Sequence, residues 1–141
     1  TVPCGTISPE VEGLLKITQE SLDQGIQQMH PQKRLFDIGA AIQAHAEPKG
    51  YSIVKEYVGH GIGRALHEDP QVPNYGVAGT GMRLKEGMVL AIEPMVNLGG
   101  PETYILGDGW TVVTKDGSFS AHFEDTIVIT EKGPEILTRF K

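Results

Sequence analysis

Cysteine is almost absent from this sequence of 141 residues, in which Cys4 is the single one. One cysteine cannot form a disulfide within the chain, which favours a reducing compartment. Basic residues are also scarce, because 12 Lys and Arg stand against 18 Asp and Glu, for a net charge of −6. An acidic chain matches neither the nucleic-acid backbone nor an anionic membrane surface, so we expect neither partner.

Long apolar runs are lacking as well. None approaches the length that spans a bilayer, and Thr1–Gly13 lacks the basic and then apolar pattern of a signal peptide. We therefore expect a cytoplasmic protein. Hydrophobic residues make up 39% and charged residues 21%, a globular balance. The length predicts a single domain over residues 1–141, and 18 Gly with nine Pro predict many shaped turns.

The first third of the chain has the pattern of helices. Ser8 followed by Pro9 is typical of a helix start, and the apolar spacing after it predicts about five turns, ended by Pro31. A second helix is predicted over residues 35–46.

Beyond Gly50 the pattern favours strands. We predict strands over 52–58, 88–93, 110–114, 121–130 and 135–138, a glycine-rich turn at 59–63 and an irregular segment at 66–75. In the run 121–130, alternation puts His122, Glu124 and Thr126 on one face. The predicted fold class is α+β, with two helices followed by a curved, mostly antiparallel sheet.

The segment around His60 carries the densest functional signal. His60 stands between glycines at 59, 61 and 63, and His67 follows seven residues later with Glu68-Asp69-Pro70. Glycines permit unusual backbone dihedrals and keep bulk away from the imidazole, as a metal ligand or substrate-facing histidine requires. An ordinary exposed histidine on a glycine-rich surface loop explains the pattern about equally well.

Two carboxylates occupy positions where carboxylates are usually depleted. Glu93 ends the apolar run 88–92 before Pro94, and Glu124 lies within an apolar strand. A carboxylate there is unfavourable unless it is paired, hydrogen-bonded or bound to a metal. For Glu124, a strand with one solvated face is the competing interpretation. The strand before Glu93 does not alternate, so we expect it to be buried on both faces.

His60, Glu93 and Glu124 would form a nitrogen and oxygen ligand set without thiolate. Such a set suits Mn, Fe, Co or Zn, and three ligands can hold one ion but are few for two. His122 is expected either beside Glu124 or on a solvated face. His30 and His45 are expected on helix surfaces.

These motifs together resemble the type I methionine aminopeptidases, metallopeptidases of the pita-bread fold. The resemblance extends in order along nearly the whole chain and rests on the segments 17–22, 37–43, 59–63, 67–72, 92–97, 108–112 and 123–127. It implies hydrolytic removal of the initiator methionine from nascent chains, with two divalent ions in an intact site.

The resemblance also implies residue roles. His60, Glu93 and Glu124 match metal ligands, and Glu93 also matches a proton shuttle. His67 matches a histidine that contacts the substrate carbonyl. The pocket for the methionine side chain is matched by three further residues, Leu66, Met95 and Trp110. Position 66 is often Phe in the family, so that wall is altered here.

Two aspartate ligands of the family have no match in this chain. Asp23 and Asp37 fall in predicted helices, so the resemblance covers only the C-terminal half of the catalytic domain. We expect little activity from the chain alone, with no ion or one ion bound. We also expect an uncovered apolar face, which favours a homodimer or pairing with an N-terminal half. The alternatives are a non-catalytic half-fold that serves as a binding module, and a related peptidase with another dipeptide preference.

Overall fold

The computed structural model describes residues 1–139 of the chain. Two helices, α1 (Pro9–Ile26) and α2 (Leu35–Ala46), are followed by a short 3-10 turn, Glu47–Lys49. The Ser8 hydroxyl accepts a hydrogen bond from the amide of Val11, so α1 begins where the capping pattern predicts. It ends at Ile26, earlier than predicted, and Met29 is nevertheless fully buried below its end.

Within residues 1–139, ten strands follow the helices, and every pair that they form is antiparallel. They are β1 (Ser52–Ile53), β2 (Gly59–Gly61), β3 (Glu68–Val72), β4 (Val89–Ile92), β5 (Met95–Asn97), β6 (Thr103–Ile105), β7 (Val112–Thr114), β8 (Ser120–His122), β9 (Asp125–Thr130) and β10 (Gly133–Ile136). The α+β class of two helices followed by antiparallel sheet is therefore confirmed.

The strands form two sheets and a hairpin. A five-stranded sheet has the order β10-β9-β4-β2-β3, a three-stranded sheet has the order β1-β5-β8, and β6 pairs with β7. The helices pack on the sheets through one apolar core, which includes Leu14 and Leu22 of α1, Ile38 and Ile42 of α2, and Ile127 of β9. Among residues 1–139, no helix combines the length and the apolarity needed to cross a bilayer.

Several predicted strand boundaries were wrong. The strand predicted over 52–58 stops at Ile53, and the predicted turn at 59–63 contains β2. The segment predicted as irregular contains β3, because its polar sequence and Pro70 are tolerated at the edge of the sheet. The run 121–130 forms two strands in different sheets, β8 and β9, and Phe123 and Glu124 lie at the break between them.

Candidate metal centre

His60 in β2, Glu93 directly after β4 and Glu124 directly before β9 come together beside three neighbouring strands of the five-stranded sheet. His60 in β2 lies opposite Ala91 of β4, and Glu93 lies two residues beyond Ala91. Because side chains alternate along a strand, residues 91 and 93 face the same side of the sheet. A small alanine opposite His60 leaves room above the strand for the imidazole and the carboxylate.

Glu124, the residue directly before β9, reaches the same place. The pairing of β4 with β9 ends with Ile92 opposite Asp125. Glu93 and Glu124 are the next residue on each side, so they lie next to each other just beyond the last pair. One ligand atom from each of His60, Glu93 and Glu124 lies within 4.8 Å of the others. The structure thus brings together the three residues that sequence analysis selected as metal ligands.

The glycines beside His60 are required because they lack a side chain, not because they adopt unusual backbone dihedrals. Neither Gly59 nor Gly61 has a positive φ. A Cβ on Gly59 would collide with the carbonyl oxygen of Ala91, and a Cβ on Gly61 with that of Asp69. The two glycines therefore allow the adjacent strands β4 and β3 to approach the backbone of β2 closely. His60 is thus fixed on a strand that is paired on both sides.

A main-chain carbonyl sets the tautomer of His60. Its Nδ1 lies 2.8 Å from the carbonyl oxygen of Gly61, and since a carbonyl only accepts, Nδ1 carries the proton. The lone pair of Nε2 in the neutral ring then faces Oε1 of Glu93 at 3.4 Å. Two electron-pair donors that face each other at this distance need a cation between them, either a proton or a metal ion.

The surroundings of Glu93 strengthen this conclusion. The side chains of His60 and Glu93 are 12% and 13% exposed, so water screens their charges only in part. On the other side, Nε2 of His122 lies 3.3 Å from Oε2 of Glu93, yet this buried nitrogen has no hydrogen-bond partner within residues 1–139. Of the two interpretations of His122, the structure favours the one that places it at the site. The donor set fits a divalent ion with nitrogen and oxygen ligands.

His67 lies beside the cluster but outside its ligand set. Its ring centroid is 4.3 Å from that of His60, with the planes at 60°, and the side chain is exposed. The two histidines share an open cleft of about 440 Å³ with Asp69 and Gln71. An exposed imidazole next to the cluster is accessible to a molecule that enters the cleft.

The three residues predicted to line a side-chain pocket are not brought together. Met95 lines a cavity of about 160 Å³ with Val54, Tyr57 and Val112, and it pairs with His122 across β5 and β8. Leu66 and Trp110 are 67% and 87% exposed and do not line that cavity. Tyr57 gave no sequence signal, since its position follows from folding of the loop after β1.

The remaining histidines lie away from the cluster. His45 is on α2, as predicted, with Nε2 at 2.9 Å from Oε2 of Glu20 in α1. His30 follows the end of α1 and packs against Gly133, so its predicted helical position was wrong. Cys4 is exposed near the first residue.

Comparison with known proteins decides the family. The model of metallopeptidase family M24 matches residues 1–131. The chain belongs to metallopeptidase family M24. This membership agrees with a candidate metal site at His60, Glu93 and Glu124.

Several M24 relatives are similar over the whole of this chain. A methionine aminopeptidase of Clostridium perfringens is 54% identical over 141 residues, which cover 100% of this chain and 57% of the relative. Methionine aminopeptidase 1 of Bacillus subtilis is 56% identical over 139 residues, covering 99% and 56%. The chain thus spans about half the length of the curated relatives that it matches.

Solved structures of similar proteins show the same architecture. The methionine aminopeptidase of Thermotoga maritima has a TM-score of 0.94 at 50% identity, covering 96% of this chain and 55% of that one. The prolidase of Pyrococcus horikoshii has a TM-score of 0.73 at 22% identity over 99% of this chain, a likeness of fold alone. The pita-bread fold expected from the resemblance is confirmed.

Proposed function

We propose that this chain supplies part of the active site of a methionine aminopeptidase, which hydrolyses the first peptide bond of a nascent protein. The convergence of His60, Glu93 and Glu124, in or directly beside three neighbouring strands, is the observation that carries the proposal. Relatives above 50% identity that bear this name support the substrate. We further propose Mn, Fe, Co or Zn as the metal, from the absence of thiolate in the ligand set.

In this proposal the three ligands hold the metal through Nε2 of His60 and the carboxylates of Glu93 and Glu124. When bound, divalent ions supply Lewis-acid polarisation of the scissile carbonyl and activation of water near neutral pH. Glu93 also accepts and returns a proton in this proposal. Its Oε1 faces His60, and its Oε2 faces His122 and remains available for the proton.

His67 and Met95 serve the substrate in this proposal. The exposed imidazole of His67, next to His60, donates a hydrogen bond to the oxygen of the scissile carbonyl. The cavity beside Met95 receives the methionine side chain, since a cavity near 150 Å³ holds a molecule of benzene size. Leu66 and Trp110 are exposed in this chain, and we propose that they complete the pocket only when a partner covers them.

We propose that catalysis requires a complementary half of the domain, because the chain spans about half the length of its relatives. That half would add the two aspartate ligands and bury exposed apolar residues, of which Trp110 is the most exposed. A second copy of the chain is the alternative partner. A cytoplasmic location and a single domain over residues 1–141 remain predictions from the sequence.

Metal binding tests the site directly. We expect the chain to bind one Mn²⁺ ion in isothermal titration, and His60→Ala and Glu124→Gln to weaken that binding by at least tenfold. His45→Ala and Glu20→Gln are the matched controls, because these residues also form a histidine–carboxylate pair at 2.9 Å, but between the helices. Equal losses in the site variants and the controls would contradict the proposed ligands.

Activity tests the reaction. The chain with Mn²⁺ or Co²⁺ is expected to release almost no methionine from a Met-Ala-Ser peptide. Addition of the part of the Bacillus subtilis enzyme that this chain does not match should restore release, and Glu93→Gln should abolish the restored activity. Binding between the two parts without any methionine release would instead favour a non-catalytic binding module.

A further inference from the structure

Asn74 is a fully buried polar residue that donates a hydrogen bond to the main chain of Glu93, a candidate metal ligand. It lies two residues after β3 and is 0% exposed. Its Nδ2 donates a hydrogen bond of 3.2 Å to the main-chain carbonyl of Glu93, which is 19 residues further along the chain. Its Oδ1 has no partner within residues 1–139. Burial of a carboxamide with only one of its two polar atoms hydrogen-bonded is unfavourable. A functional role for the remaining hydrogen bond would explain why an asparagine occupies this position.

The carbonyl of Glu93 lies where strand pairing stops. β4 ends at Ile92, β5 begins at Met95 in another sheet, and Pro94 between them has no N–H to donate. The peptide that joins Glu93 to Pro94 therefore crosses from one sheet to the other. The Asn74 amide holds the carbonyl oxygen of this peptide, and thereby restricts the ψ angle of Glu93.

Helix α2 in turn holds the segment that carries Asn74. Gly39 of α2 faces this segment so closely that a Cβ would collide with the carbonyl oxygens of Pro73 and Tyr75. Gly39 therefore lets the helix backbone press on the residues on both sides of Asn74. A continuous contact runs from α2 through Asn74 to Glu93.

We propose that Asn74 is a positioning residue for Glu93, which orients the carboxylate for metal binding by restraining its backbone. The carboxylate lies 3.4 Å from Nε2 of His60 and 3.3 Å from Nε2 of His122, so a rotation of the Glu93 peptide would change both distances. This inference rests on the proposed metal site and adds to it a residue that touches neither metal nor substrate.

Asn97 provides a matched control. It is also 0% exposed, its Nδ2 also donates to a main-chain carbonyl, that of Gly100 at 2.9 Å, and its Oδ1 also lacks a partner among the described residues. The carbonyl that it holds belongs to a loop, not to a candidate ligand. Loss of either carboxamide should lower the melting temperature, but only loss of Asn74 should change the metal site.

The test titrates Co²⁺ into wild-type chain, Asn74→Ala and Asn97→Ala, and follows the visible absorption of the bound ion together with the melting temperature of the metal-free protein. We expect Asn74→Ala to bind Co²⁺ at least tenfold more weakly with an altered absorption spectrum, as for other groups that orient metal ligands. Asn97→Ala should stay within twofold of wild type. Asn74→Ser, which removes fewer atoms, replaces Asn74→Ala if that variant does not fold.

Unchanged Co²⁺ affinity in a folded position-74 variant, or equal losses at positions 74 and 97, would overturn the positioning role while leaving the metal site intact. A His60→Ala arm separates the two proposals. If wild-type chain and His60→Ala bind Co²⁺ equally, the metal site itself is wrong and the role of Asn74 falls with it.

Discussion

The helical layer and the β6–β7 hairpin differ in how they treat apolar side chains. Ile38 and Ile42 of α2 are fully buried against the sheets. In the hairpin, Tyr104 and Ile105 are half exposed, and Trp110 at its turn is almost fully exposed. The helical layer is thus stabilised by contacts within residues 1–139, whereas the hairpin presents apolar surface that no described residue covers. We therefore expect stability to depend on the helical layer and the proposed substrate pocket to depend on the hairpin.

Truncation of a core isoleucine should give the largest effect. Ile42 contacts α1 at Gly25, where a Cβ would fall within 2.8 Å of its side chain. We expect Ile42→Ala to reduce the free energy of unfolding by about 2–5 kcal/mol, because it leaves a cavity in the helix interface. Ile105→Ala in the hairpin should stay within about 0.5 kcal/mol. Urea unfolding followed by circular dichroism measures both, and similar losses would refute the contrast.

Removal of the buried carboxylate of Asp125, next to Glu124, should give the second-largest loss of stability. Asp125 accepts hydrogen bonds of 2.7 Å from Thr138 and from Arg139, which also contacts Asp23 of α1. Asp125→Ala should reduce the free energy of unfolding by about 1–3 kcal/mol, since it leaves these donors without their acceptor. Asp116 in the hairpin region is the control. It accepts two main-chain bonds but is exposed, so Asp116→Ala should cause a smaller loss of stability.

How much was predictable also differs between the regions. Both helices follow from local signals, the cap at Ser8 and the spacing of apolar residues, so only the end of α1 was misplaced. β3 was missed because Glu68, Asp69 and Pro70 give no strand pattern, and only pairing with β2 makes them a strand. The run 121–130 was predicted as one strand because polar and apolar residues alternate through Phe123 and Glu124 without interruption. The break between β8 and β9 arises because the two strands pair with different sheets, and local sequence does not show this pairing.

The candidate site was predictable where a residue conflicts with its surroundings. Glu93 and Glu124 stood out as carboxylates in apolar runs, and the structure brings them within reach of His60. Asn74 gave no such signal, because an asparagine between Pro73 and Tyr75 reads as an ordinary turn. Its burial and its bond to Glu93 depend on the packing of α2 against the segment after β3.

Acid should distinguish the two regions through Asp37. Main-chain amides of Arg34 and Gly79 donate to this carboxylate at the start of α2 and hold its pKa below the ordinary range. A lowered folded pKa stabilises the protein above about pH 4, and this contribution is lost as the pH falls through the folded value. Asp37→Asn should therefore lower stability at pH 7 by about 0.5–1.5 kcal/mol, because a carboxamide has one acceptor oxygen and can keep only one of the two main-chain hydrogen bonds. The difference in melting temperature from wild type should shrink below pH 4, and a constant difference would contradict this role.

The smallest effect is expected in the hairpin turn. Hydrogen bonds from the Thr111 hydroxyl and from the main-chain amides of Trp110 and Thr111 lower the pKa of Asp108. Its contribution to turn stability is likewise present above about pH 4 and is lost as the pH falls through the folded pKa. Because the turn is exposed, we expect a change in the fluorescence of Trp110, the single tryptophan, without a change in far-ultraviolet circular dichroism. Asp108→Asn should remove the fluorescence step. A step that coincides with global unfolding would mean that the hairpin is coupled to the core, and the two regions would then form one cooperative unit.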